Sequence, residues 1–274
     1  MSSGDAQVTT VRVTLGQLQV VPDRAANRAS VVDAFAAAAR QRADLLVLPE
    51  YASAYDPHGV GPEHAEPLTG PFVETLRAQA ARTGVAVIAG TTLPGASAQR
   101  AVNAVVAVDP AGELVGVYRK VHLYDAFGTR ESDRLEPGPP EAAPLVLDVG
   151  GLRFGVLTCY DLRFPESARR VVDAGAQVLV VPAAWAAGDR KELHWRALAV
   201  ARAIENTCAV VAVGQAGPGV VGRSLVVGPD GVVDLELGAA PEIGSTDVDL
   251  ARIARERERN PSLRNRRYTT SPLL

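Results

Sequence analysis

Short apolar runs alternate along this chain with stretches in which apolar positions recur every three or four residues. Residues 11–19 read as a strand, and Pro22-Asp23 as a break with a helix cap. From residue 24 to 40 the positions Ala25, Ala29, Val32, Ala36 and Ala39 recur at helical spacing and predict a helix with that face inward. Asp44-Leu-Leu-Val-Leu48 is a continuous apolar run, as expected of a strand buried on both faces. A helix over about 73–82 leads through Gly84 into a second buried strand at 85–92. The middle of the chain changes character. Residues 102–108 and 113–119 flank Asp109-Pro-Ala-Gly112 as a hairpin, and 145–149 and 152–158 flank Gly150-Gly151 as another. The alternation then resumes: helix 165–174, strand 178–181, helix 192–204, strand 208–213, and a last hairpin turning at Gly228-Pro-Asp-Gly231.

Strands alternating with helices and interrupted by hairpins imply an α/β fold, a mixed sheet covered by helices. So many strands favour a split into two packed sheets with helices outside. Nothing resembling a Pro/Gly/Ser linker, a composition shift or an internal repeat divides the sequence. The expectation is one domain over residues 1–274, with flexible tails at about 1–10 and 269–274.

Composition narrows the function classes. The 274 residues are 47% hydrophobic and 22% charged, ordinary for a soluble globular protein. A net charge of −3 gives no electrostatic reason to expect nucleic acid or an anionic membrane as partner. The longest apolar runs fall far short of the roughly 20 residues that span a bilayer, and no signal peptide is visible in the small, polar residues 1–10. Only two cysteines occur, Cys159 and Cys208, far apart. That pattern excludes a disulfide scaffold and favours a reducing cytoplasm. His58, His64, His122 and His194 show no metal-ligand spacing, so no metal or other cofactor is expected.

Three polar residues directly follow apolar strands, where an α/β protein places its sites. Glu50 follows Leu45-Leu-Val-Leu48 and Pro49, Lys120 closes the strand-like stretch 114–119, and Cys159 follows Phe154-Gly-Val-Leu-Thr158. Alone, such a Glu or Lys is usually a solvated strand end and such a Cys a small core residue. The Cys159 segment adds to its case, because Thr-Cys-Tyr-Asp-Leu-Arg-Phe-Pro-Glu166 compresses strand, turn and helix start into nine residues. Pro165 suits a first helical turn. A thiol at a helix N-terminus is expected to have a lowered pKa, and the following N–H, of Tyr160, is free to bind an oxyanion.

Leu-Pro-Glu50-Tyr, Arg-Lys120-Val-His-Leu-Tyr-Asp and Thr-Cys159-Tyr-Asp-Leu-Arg-Phe-Pro-Glu resemble the three signature blocks of the nitrilase (carbon–nitrogen hydrolase) superfamily, in the right order. Accessory blocks agree: Arg130-Glu131-Ser132 with Glu136-Pro-Gly138, Trp185 before His194-Trp195, Ala201-Arg-Ala-Ile-Glu-Asn206, Ser224 to Gly231, and Asn260 to Tyr268. The resemblance runs from about Val11 to Tyr268. It implies a four-layer αββα sandwich and a Glu50–Lys120–Cys159 triad that hydrolyses a small amide through a thioester. It also implies that Glu131 buttresses Lys120 and helps hold the substrate. The nucleophile block is most similar to the ω-amidase and deaminated-glutathione amidase branch, in which an arginine four residues after the cysteine faces a substrate carboxylate. Here that residue is Arg163. Its fork suits bidentate carboxylate capture, while a brace to Asp161 or Glu166 is the alternative. Tyr51, Tyr55 and Trp185 are candidate pocket residues, or core packing. The short segment 123–131 leaves the exact substrate open. On the same fold, a nitrilase or N-carbamoyl amide hydrolase is the competing activity, and a non-catalytic scaffold the remote one. A homodimer or larger homo-oligomer is implied by the resemblance.

Other features read as structure. Gly217-Pro-Gly-Val-Val-Gly222 fits a dinucleotide-binding pattern, but a strand rather than a helix follows it, so it is a loop. His122 braces its loop, Cys208 is inert core, and the seven arginines between 252 and 267 form a solvated face or a subunit contact.

Overall fold

The computed structural model describes residues 10–273. Runs that are apolar on both faces pair as parallel strands: β1 (Thr10–Gln17), β2 (Leu45–Val47) and β3 (Ala86–Pro94). The hairpin β4 (Ala101–Val108) and β5 (Leu114–Arg119) extends them on one side. A strand from the far end of the chain, Glu242–Asp249, pairs antiparallel with β1 and completes a six-stranded sheet. A small ribbon follows β5, formed by β6 (Asp125–Ala126) and β7 (Thr129–Arg130). The second sheet holds β8 (Val146–Val149), β9 (Leu152–Val156), β10 (Val178–Ala183), β11 (Ala209–Gly214), β12 (Leu225–Val227) and β13 (Val233–Glu236). In it, β9, β10 and β11 run parallel and the hairpin strands at either edge antiparallel. The far-end strand is β14.

Helices cover the outer faces. They are α1 (Arg24–Arg40) and α2 (Pro71–Thr83) on the first sheet, and α3 (Pro165–Asp173) and α4 (Lys191–Asn206) on the second. Side-chain alternation along the strands builds three stacked cores. Val13, Leu15, Val47 and Ile88 of the first sheet meet Phe154, Val156, Val180 and Val211 of the second in the middle. Leu46, Leu48 and Val87 point out to Phe35, Phe72 and Leu76. Leu179, Val181 and Val210 point out to Val171, Trp195 and Ala199 on the other side. The αββα sandwich follows from that period of two.

The predicted helix 24–40 forms over its full length, capped by Asp23, whose carboxylate accepts from the Ala25 and Ala26 amides at 2.8 and 3.2 Å. Its buried face is not the expected one. Val31, Ala34, Phe35 and Ala38 point inward, whereas Ala25, Ala29 and Ala39 are exposed. Alanine populates nearly every face of this helix, so its largest side chains, Phe35 and Val31, set the rotation rather than the alanine count.

The sequence pattern also missed β14 and α5 (Leu250–Arg259). The arginines there fasten the chain end to the body. Arg252 pairs with Asp230 and Asp234, each at 2.7 Å, Arg266 pairs with Asp173 at 2.7 Å, and Arg257 donates to the Thr207 carbonyl at 3.0 Å. Thr10 already belongs to β1, and residues 1–9 of the expected N-terminal tail lie outside the described residues. Residues 269–273 have no regular structure and line a groove with Pro139, Pro140 and Pro144. Among the described residues, no helix is long and apolar enough to cross a membrane. The 217–222 segment is a loop between β11 and β12, as its context implied.

Candidate active site

The same ends of both sheets deliver the site. Glu50 lies just past β2, Lys120 just past β5, Cys159 beyond β9, Trp185 beyond β10 and Gln215 directly after β11. Glu50 and Lys120 are each only 1% exposed and Cys159 7%, at the base of a cleft of about 530 Å³. Burying charges this deeply is tolerable only where each one is paired and hydrogen-bonded.

They are paired. The Lys120 ammonium lies 3.0 Å from Glu50 Oε1 and 3.0 and 2.9 Å from the two oxygens of Glu131. Glu50 accepts two further bonds at 2.7 Å, from Asn103 Nδ2 on Oε1 and from the Ala184 amide on Oε2. Gln215 donates to the Glu50 carbonyl at 2.7 Å and so ties the first sheet's site loop to the second sheet. Glu131 opens a 3₁₀ turn after the β6–β7 ribbon. It accepts from the Tyr51 hydroxyl and, at 2.7 Å, from the Tyr124 amide.

Electrostatics follow from this packing. Burial alone would lower the Lys120 ammonium, but the charges of Glu131 and Glu50 outweigh it and hold the lysine well above its ordinary value. Burial would raise Glu131, yet Lys120, the Tyr51 hydroxyl and the Tyr124 amide hold it below the usual carboxylate range. Cys159 runs opposite to the sequence expectation. Burial first, then the charge of Glu50 beside it, push the thiol well above its ordinary value, against a smaller downward pull from Lys120. Cys159 also begins a 3₁₀ turn, Cys159–Arg163, and α3 starts only at Pro165, so the thiol is not at the α-helix N-terminus that the sequence suggested. The resting nucleophile candidate is therefore a neutral thiol beside a carboxylate.

The backbone presents that thiol under strain. Cys159 has φ +46°, a left-handed conformation uncommon for a residue with a Cβ. Asp161, fully buried, holds it there. Its carboxylate accepts from the Thr158 amide at 3.0 Å, Tyr118 Oη at 2.7 Å and His122 Nδ1 at 2.8 Å. His122 also stacks on Phe164 with ring centroids 3.7 Å apart, so it braces the loop as expected. The turn's first hydrogen bond runs from the Asp161 amide to the Thr158 carbonyl. That leaves the Tyr160 amide outside the turn's ladder, next to Cys159.

The wall residues divide by role. Tyr51, Tyr55, Arg163 and Trp185 all line the cleft. Tyr51, however, spends its hydroxyl on Glu131, and Trp185 donates its indole N–H to the Lys191 carbonyl at 3.0 Å. Arg163 forms no ion pair with Asp161 or Glu166. Its guanidinium lies 4.7 Å from the Trp185 ring centroid, and its buried Nε has no partner among the described residues. Sequence reasoning missed Asn103, Tyr124, Lys191 and Gln215. For Asn103 a signal existed, a lone amide in the otherwise apolar run Ala101-Val-Asn-Ala-Val-Val106. Cys208 is fully buried, its thiol pushed up to about 12 by burial.

Comparison with known proteins gives the family. The family model described as carbon–nitrogen hydrolase matches residues 12–258. This chain belongs to the carbon–nitrogen hydrolase family. A deaminated glutathione amidase from Escherichia coli O157:H7 is 39% identical over 264 residues, covering 96% of this chain and 99% of the relative. An omega-amidase from Xenopus laevis is 32% identical over 268 residues, covering 93% and 95%. A double mutant of the amidase from Nesterenkonia sp. AN1, solved in complex with acrylamide, superposes with a TM-score of 0.80 at 30% identity, covering 97% of this chain and 96% of that one. The protein is an amidase-type carbon–nitrogen hydrolase with the nitrilase-superfamily sandwich. Among the described residues, no group of three or more His, Cys, Asp or Glu side chains is placed to hold a metal ion.

Proposed function

We propose that Cys159 is the nucleophile, Glu50 the proton carrier and Lys120 the oxyanion-stabilising cation in hydrolysis of a small carboxylate-bearing amide, with Glu131 as the residue that positions Lys120. The observation that carries this reading is the buried Glu50–Lys120–Glu131 cluster beside a neutral thiol at the base of one cleft. Two carboxylates and one ammonium already leave an excess negative charge, so a resting thiolate is disfavoured. Moving the thiol proton onto Glu50 instead shifts that charge to sulfur without adding to it.

The steps follow. Glu50 takes the Cys159 proton and Sγ forms a bond to the amide carbon. The resulting oxyanion is met by Lys120 Nζ and the Tyr160 amide, each such donor contributing roughly 3 kcal/mol. Three acceptors surround the Lys120 ammonium at rest, Glu50 Oε1 and both Glu131 oxygens, so one of its three donors would turn from Glu131 to the oxyanion. Glu50 then passes the proton to nitrogen, the carbon–nitrogen bond breaks, and ammonia leaves a thioester. A water molecule loses a proton to Glu50 and attacks the thioester. The carbon–sulfur bond breaks, the carboxylic acid departs, and Glu50 returns the proton to sulfur.

The unneutralised Arg163 in the cleft supports a substrate whose acyl chain ends in a carboxylate. The relatives named deaminated glutathione amidase and omega-amidase point the same way. Tyr55 and Trp185 would line the acyl chain, while Tyr51 acts through Glu131. Two free, buried cysteines support a reducing, cytoplasmic setting, and a homodimer or larger homo-oligomer completes the proposal. Ammonia release from a panel of ω-amides, nitriles and N-carbamoyl compounds tests it. The expected result is turnover of carboxylate-bearing amides, abolished in Cys159→Ala and, in Arg163→Ala, raised in KM chiefly for those amides. Turnover confined to nitriles or carbamoyl compounds would overturn the substrate assignment.

A further inference from the structure

Five lysines and arginines line the cleft: Lys120, Arg130, Arg134, Arg163 and Lys191. Carboxylates neutralise three of them. Lys120 is held by Glu50 and Glu131, Arg130 by Asp133 at 3.6 Å, and Arg134 by Glu63. Arg163 and Lys191 have no carboxylate partner among the described residues. Lys191 is nevertheless only 7% exposed. Its ammonium donates to Tyr124 Oη at 2.8 Å, and its next close neighbour is the face of Phe127, whose ring centroid lies 3.4 Å away. The same ring lies 5.5 Å from Arg163 Cζ. One aromatic side chain thus touches both unneutralised cations, which places them within reach of a single small anion.

Phe127 sits at the tip of the β6–β7 ribbon with φ +55° and is itself 67% exposed. An aromatic ring at a solvent-facing tip is unlike the core aromatics of this protein, and what it covers is charge. A ring face is a weaker partner for an ammonium than a carboxylate, because it offers a quadrupole in place of a full charge. A cation pair met by aromatic rings and one phenol hydroxyl, with no carboxylate beside it among the described residues, is a site waiting for an anion.

We propose that Lys191 is a second specificity-determining cation, which together with Arg163 grips the carboxylate of the substrate's acyl chain once the Phe127 ring moves aside. The inference rests on the proposal that this cleft takes carboxylate-bearing amides, and it names the residue that completes the anion subsite. Burial and the neighbouring charge of Arg163 both lower the Lys191 pKa, as expected of a cation held beside another cation with no anion between them. The substrate carboxylate would supply the missing negative charge. Cys159, Arg163 and Lys191 line the same cleft, so an amide and an acid at opposite ends of one chain can meet them together.

The test is the ratio of kcat/KM for succinamate to that for butyramide, the same chain with its carboxylate replaced by a methyl group. The ratio is measured in wild type, Lys191→Met, Lys191→Arg and Arg163→Met, with a thermal melt to show that each variant is folded. The expected result is a ratio lowered by about tenfold or more in Lys191→Met, mainly through KM of succinamate, and largely retained in Lys191→Arg. Loss of both substrates in equal proportion in Lys191→Met would make the lysine a structural residue and overturn the inference. A ratio unchanged in Lys191→Met but lowered in Arg163→Met would overturn it while leaving the carboxylate-bearing substrate standing. A wild type that does not prefer succinamate would overturn both.

Discussion

Asn103 shows how much of this site depends on a side chain that performs no chemistry. Its Nδ2 donates to Glu50 at 2.7 Å and lies 3.4 Å from Glu131, so one amide holds the two carboxylates in register around Lys120. Asn103→Leu keeps the volume and removes the donor. Buried hydrogen bonds to charged groups contribute about 1.5–3 kcal/mol, so kcat/KM is expected to fall by about one to two orders of magnitude. Steady-state kinetics in a folded variant check this, and a change below about threefold would show that Lys120 alone organises the pair. At this scale the sequence was legible where a polar residue ended an apolar run, as at Glu50, Lys120 and Cys159. It was less so for Lys191, which opens a helix and looks like any solvated lysine, since only the third dimension turns it toward the cleft. The direction of the Cys159 shift was illegible for a related reason. Burial and the facing Glu50 come from tertiary packing, whereas the sequence displays only the nearby helix start.

Elements matter here through the precision with which their ends meet. Gly90 on β3 lies against the loop that turns Glu50 into the site. A Cβ there would overlap Glu50 Cα and sit 2.7 Å from both the Pro49 carbonyl oxygen and the Tyr51 nitrogen. That loop is itself strained, with Tyr51 at φ +57°. Gly90→Ala must push backbone rather than a flexible side chain. It is expected to destabilise by about 1–3 kcal/mol, with a disproportionate loss of kcat as Glu50 shifts. Denaturant unfolding together with kinetics checks the expectation, and an unaltered kcat would separate the loop from catalysis. The elements themselves were readable wherever apolar runs were long and buried, as in β2, β3, β10 and β11. β14 was not, because Glu-Ile-Gly-Ser-Thr-Asp-Val-Asp is an edge strand with polar residues at alternate positions and a glycine inside it. The rotation of α1 was misread because alanines made every face look apolar.

At the scale of the whole molecule, the first sheet supplies Glu50 and Lys120 while the second supplies the Ala184 amide that donates to Glu50, so the charge cluster links the stability of both to pH. Glu131 is held below the usual carboxylate range, despite burial, by Lys120, Tyr51 and Tyr124. Such a group stabilises the fold at pH values above its ordinary pKa, near 4.5, and that contribution is lost as pH falls through its lower folded-state value. The stability of the wild type is therefore expected to drop as pH falls below about 4.5, and the slope in Glu131→Gln to be shallower over that window. Urea unfolding at a series of pH values measures both slopes, and parallel curves would remove Glu131 from the account. The layered architecture was the most legible property of all, because continuous apolar runs such as Leu45–Leu48, buried on both faces, demand a covering layer on each side. Which strands pair across the middle was not, since that depends on long-range register.

The central claim is that Cys159 carries the acyl group during turnover. Acid quenching of the enzyme during steady-state hydrolysis of succinamate, followed by peptide mass spectrometry, tests it most directly. The account predicts a succinyl thioester on the peptide containing Cys159 and none on the peptide containing Cys208. An acyl group found on another residue, or hydrolysis that continues undiminished in Cys159→Ala, would contradict it.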